Sequence, residues 1–96
     1  MAQQPQYGAE TALLRNLVTN PECRFEWTFH ARKRMEERNI TAEDVIEALT
    51  NGHITFHEIK RDILYRVDGR DLDGRRLQVE VALYREMIMI KVVTAF

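Results

Sequence analysis

The stretch Met87-Ile88-Met89-Ile90-Lys91-Val92-Val93-Thr94-Ala95-Phe96 constrains the fold more than any other part of the chain. It is nearly continuous apolar sequence, with Lys91 as its one charge. Ten residues fall far short of the roughly 20 that a membrane span needs. The run therefore predicts a central strand covered on both faces over much of its length, with Met87 and Met89 in the core. Such a strand needs neighbours, and the sequence before it supplies them. Leu77, Val79, Val81 and Leu83 alternate with Gln78, Glu80, Ala82 and Tyr84, the pattern of a half-buried strand. Arg85-Glu86 predicts a tight reversal between the two. Ile63, Tyr65 and Val67 share one side of a strand over 62–68, and residues 54–59 form a weaker strand. Gly69 and then Asp73-Gly74 mark a turn.

The first half is mainly helical. Residues 1–8 read as a flexible tail without apolar periodicity. Ala12, Leu13, Leu14, Leu17 and Val18 fit an amphipathic helix over 9–19, stopped by Asn20-Pro21. Arg24 to Thr28 alternates as a short strand, with Phe25 and Trp27 on one side. Thr28 is placed to cap a helix that runs to Asn39. Thr41-Ala42-Glu43-Asp44 then reads as a capping box with Asp in the acidic position, opening a second helix closed by Asn51-Gly52. The order α-β-α-α-β-β-β-β predicts an α+β fold, with helices packed on one face of a small antiparallel, meander-type sheet. Residues 9–96 form its single domain.

Net charge is −1, which argues against a generic polyanion binder. The charge is uneven, though. Residues 41–58 carry Glu43, Asp44, Glu47 and Glu58 and no Lys or Arg. Cys23 is alone and implies no disulfide, and residues 1–6 lack the features of a secretory signal, so the expected location is cytoplasmic and not in a membrane.

The chief functional signal lies in the helix after Thr28. His30, Arg34 and Arg38 follow one another at i, i+4, i+8 along the edge of the side centred on Ala31 and Met35. An imidazole suits proton transfer near neutral pH, and guanidinium forks fit phosphate. Metal-independent RNA cleavage needs both a proton-transfer group and cations for the charge that grows on phosphorus. The other reading is structural, with the arginines paired to Glu36, Glu37 or acids of the next helix. Tyr84 is a further candidate proton donor, and Lys33, Arg66, Arg75 and Arg76 are candidate nucleic-acid contacts. His53 and His57 share a face of a strand but stand about 13 Å apart, too far for one ion, so no metal and no cofactor is expected.

The block Phe29-His30-Ala31-x-x-Arg34-Met35-x-x-Arg38-x-Ile40-Thr41-x-x-Asp44-Val45 is followed by Asn51-Gly52, Gly74-Arg75-Arg76-Leu77 and Val92-Val93-Thr94-Ala95. Together they resemble a family of small bacterial domains of unknown function, grouped with the RelE/ParE-like toxins, including the MqsR and BrnT types. The resemblance covers residues 25–96. It implies a compact RelE/ParE-like fold. It also implies the activity of a type II toxin, an mRNA endoribonuclease held inactive by a small antitoxin protein. His30, Arg34 and Arg38 carry over from its helical block, and Thr94 as a pattern match. The chain departs from the basic toxins in being slightly acidic. The alternative is a non-catalytic protein-interaction module, or a homodimer through strand 87–96 or an edge strand.

Overall fold

A computed structural model describes residues 7–96. Of the tail expected over 1–8, residues 1–6 lie outside the described residues, and Gly8 already begins the first helix. The elements are α1 (Gly8–Val18), β1 (Arg24–Trp27), α2 (Phe29–Arg38), α3 (Ala42–Asn51), β2 (His53–Ile59), β3 (Ile63–Arg70), β4 (Arg76–Tyr84) and β5 (Met89–Ala95). No helix among the described residues is long and apolar enough to cross a membrane.

The strands form one sheet in the order β1-β5-β4-β3-β2. The pairs from β2 to β5 are antiparallel, but β1 runs parallel to β5. The sheet is therefore mixed, which corrects the antiparallel expectation. Its cause is topological. Three successive reversals after β2 leave β5 travelling in the direction in which β1 entered the sheet. β5 is bonded on both sides, so it offers no free edge to a second copy.

All three helices cover the same face. Leu14, Leu17 and Val18 of α1, Ala31 of α2, and Val45, Ala48 and Leu49 of α3 pack on Ile54, Val67, Leu77, Val79, Val81, Ile90, Val92 and Ala95. Burying each of the larger side chains contributes about 1.5–3 kcal/mol relative to exposure. The opposite face carries Arg66, Asp68, Gln78, Glu80, Tyr84, Lys91 and Thr94, and no helix among the described residues lies over it. β5 is thus covered by helices on one face only. Met87 is exposed within the reversal 85–88, and only Met89 of the two methionines is buried.

Two local features differ from the alternation read in the sequence. Gly69 lies inside β3, not in a turn, because α3 passes so close that a side chain there would overlap the backbone of Ala48. The turn is Asp71–Arg75, with Gly74 at φ 82°. In β2 a bulge between Ile54 and Phe56 shifts the register. His53 then opposes Asp68 and His57 opposes Tyr65. The bulge therefore sends the two histidines to opposite faces of the sheet, contrary to the simple alternation.

Candidate nucleic-acid interface

Thr28 sets the position of α2. Its hydroxyl accepts a hydrogen bond from the Ala31 N–H at 3.0 Å and donates one to the Val93 carbonyl at 2.7 Å. The first turn of the helix is thereby capped and tied to β5 at once. Ala31 is fully buried and Met35 half-buried, which fixes the helix rotation. Asn39 ends it in the left-handed region at φ 54°.

That rotation divides the polar row. Arg34 and Arg38 reach past the end of β5 and, with Arg76, Gln78 and Phe96, line an open groove of about 430 Å³. His30 is outside it. With Lys33, Arg34 and Glu37 it borders a neighbouring depression of about 320 Å³ on the helix's outer side. Arg34 belongs to both. Among the described residues none of His30, Lys33, Arg34 and Arg38 forms an ion pair. Glu36 and Glu37 form no ion pair among the described residues, and two other acids that could neutralise such a row are engaged elsewhere. Asp44 accepts the Thr41 and Leu72 N–H groups, each at 3.1 Å. Glu58 holds Lys60 at 3.0 Å.

Arg76 is different. Its Nε and Nη2 both stand 2.9 Å from the Asp68 carboxylate. The pair holds the Asp68 carboxyl below the usual carboxylate range and raises Arg76, chiefly through these hydrogen bonds. The groove therefore has one neutralised guanidinium and two that face solvent without a carboxylate partner.

The other candidates scatter. Arg66 stands on the uncovered face, with Glu80 3.3 Å away and its guanidinium carbon 5.2 Å from the Phe56 ring and 5.8 Å from the Phe96 ring. Tyr84 lies at the far end of β4 from Arg76, about 26 Å along the strand. Burial raises its pKa, helped by a hydrogen bond to Asp62 and the charges of Asp62 and Glu26. With its pKa raised it stays a neutral phenol, and it lies apart from the arginine groove. Arg75 closes the β3–β4 turn on Asp71 and Asp73, at 3.2 and 3.3 Å. Arg34, Arg38 and Arg76 thus share the groove, His30 adjoins it only through Arg34, and Tyr84, Arg75 and Arg66 do not line it.

Phe96, Gln78 and Asp68 are residues that sequence reasoning missed, and His53 was weighed only as a metal ligand. Phe96 was hidden in the apolar run, and Gln78 in the polar half of an alternation. His53 reaches Asp68 only because of the bulge. His53, Asp68 and Arg76 line a further hollow of about 200 Å³ with Asn51, Gly69 and Arg70. No three His, Cys, Asp or Glu side chains among the described residues are grouped to hold a metal. The Cys23 thiol is half-buried, and burial raises its pKa, so it is a poor nucleophile. What the arrangement offers is anion capture by guanidinium forks beside an aromatic ring.

No curated protein and no solved structure matches the chain. The family described as Domain of unknown function (DUF4258) matches residues 27–96, from the last residue of β1 through the α2 row to Phe96, and the chain belongs to that family.

Proposed function

We propose that this domain binds RNA in the Arg34–Arg38–Arg76 groove and cleaves it without a metal, as a toxin-type endoribonuclease of the RelE/ParE-like kind its motif resembles. The observation that carries this reading is the pair of guanidiniums with no carboxylate partner, opening side by side onto a groove that also presents Phe96. Arg34 follows His30 by about one helical turn, about 6 Å of rise, and lines both the groove and the depression that His30 borders. In the proposed step, His30 takes the proton of a 2′-hydroxyl, whose oxygen attacks the adjacent phosphorus. The P–O5′ bond breaks, the 5′ oxygen takes a proton from solvent water, and a 2′,3′-cyclic phosphate remains. Arg34 and Arg38 stabilise the charge on the non-bridging oxygens.

The test is incubation of purified protein with RNA in EDTA. Cleavage that persists in EDTA and disappears in His30→Ala is the expected result. Arg34→Ala combined with Arg38→Ala weakens RNA binding by more than tenfold. RNA that binds but stays intact would remove the catalytic half of the proposal and leave the binding half.

A second reading rests on the outer edge of the sheet. Among the described residues β2 has no strand beyond it, and Ile59 (73% exposed) and Ile63 are exposed where β2 meets β3. An added strand from a small antitoxin-like partner, or from another copy, would cover them. Co-purification of a small protein with loss of the complex in Ile59→Lys supports that reading.

A further inference from the structure

We infer that the uncovered face of the sheet carries a nucleobase subsite built on Phe56, Phe96 and Arg66, which restricts the groove to single-stranded RNA. The inference rests on the RNA-binding reading above and adds to it the part of the ligand that an arginine groove alone cannot select.

Four observations converge on this spot. The first is the bulge in β2. In an unbroken strand Phe56 would share the helix-covered face with Ile54. Because the register shifts between these two residues, Phe56 instead opposes Arg66 and stands on the open face. It is 45% exposed there, a large apolar ring that none of the described helices covers. The second is the guanidinium of Arg66, which lies against both Phe56 and Phe96. Two rings that accept a flat, delocalised cation present the π surface that a flat base requires.

The third observation is a pair of orphaned polar atoms. Arg66 Nε and Thr94 Oγ1 are buried without a hydrogen-bond partner among the described residues. They flank Glu80, since Arg66 pairs in register with Glu80 and Glu80 with Thr94. Thr94 is only 7% exposed. Buried donors left unmatched cost about 1–3 kcal/mol each, and a ligand edge that meets them recovers that loss. The fourth is Phe96 itself, which belongs both to this cluster and to the Arg34–Arg38–Arg76 groove. A nucleotide with its phosphate on the arginines therefore has its base delivered to the rings. Rotation of Arg66 about its long side chain opens the ring surface and brings Nε and the Thr94 hydroxyl to the base edge. In a duplex the base faces are already stacked and closed to the rings, so only an unpaired strand gains this contact.

Binding of a 2′-O-methyl oligoadenylate tests the subsite, because that probe cannot be cleaved through its 2′ oxygen. The same oligomer annealed to its complement and inorganic polyphosphate are the controls. The single strand binds tighter than either control. Phe56→Ala lowers single-strand affinity about tenfold and leaves polyphosphate binding unchanged. Thr94→Val keeps the side-chain shape, and it lowers single-strand affinity with the thermal transition intact. Arg34→Ala weakens all three probes. If Arg34→Ala weakens all three while Phe56→Ala and Thr94→Val change nothing, the base subsite is refuted and the phosphate groove stands. If no probe binds, groove and subsite fall together.

Discussion

At the scale of single residues, Asp44 shows how far local sequence logic reaches. Its place in the capping box is readable from Thr41-Ala42-Glu43-Asp44, and the reciprocal bonds form as that pattern implies. Its second bond, from the Leu72 N–H, joins α3 to the β3–β4 turn 28 residues away, and no local pattern announces it. The backbone hydrogen bonds, from Thr41 first and Leu72 next, outweigh burial and hold its carboxyl below the usual range. A depressed folded-state pKa means that this contribution is present above the unfolded value near 4 and is lost as pH falls through the folded value. Asp44→Ala should cost about 2 kcal/mol at pH 7. Urea unfolding at neutral and strongly acidic pH should show the gap between variant and parent closing in acid. The arginine row follows the same division. Arg34 and Arg38 were legible as an unusual helix edge. Gln78 and Phe96, which complete their groove, come from the far end of the chain and had no distinguishing sequence signal.

At the scale of elements, helices and strands were legible because each has a strong period or a cap. The sequence did not show which elements press together hard enough to override that period. α3 lies directly on β3 at Gly69, and Asn51 at its end bonds both the N–H and the carbonyl of Arg70. A turn glycine and a close-packing glycine look alike in sequence. Gly69→Ala should therefore destabilise the domain by roughly 1–3 kcal/mol through overpacking, read as a lower thermal midpoint, although alanine itself suits a strand no worse than glycine. Thr28 joins a helix cap to a strand anchor. Thr28→Ala should cost about 1–2 kcal/mol, and Thr28→Ser should restore most of it, because serine keeps the hydroxyl. Chemical denaturation of the three proteins measures both. The bulge in β2 is the remaining case. It breaks the alternation that put His53 and His57 on one face, and it supplies the aromatic ring of the open face.

At the scale of the whole molecule, a chain of net charge −1 brings Arg34 and Arg38 to one groove without an ion pair among the described residues, while Asp44, Asp68, Asp71 and Asp73 are committed to a cap, a turn and Arg76. Binding there should depend on salt accordingly. Removing Arg34 and Arg38 together should flatten the plot of log affinity against log salt by about 0.7 for each phosphate of a single strand that the variant no longer neutralises. The layer order of the fold was legible, but the parallel pairing of β1 was not, since it joins the two ends of the domain. Thr28 meets Val93 across 65 positions of sequence. That pairing also dictates a schedule. As the chain leaves the ribosome, β1 is made before α2, α3 and β2–β4, yet the strand that must hold it is made after all of them. The helices and the β2–β4 ribbon can form while β1 waits, and the sheet closes from both of its ends onto β5 in one late step. Pairings so distant along the chain make for slow folding. A protein cut short before Met89 is therefore an unclosed fold, not a smaller one.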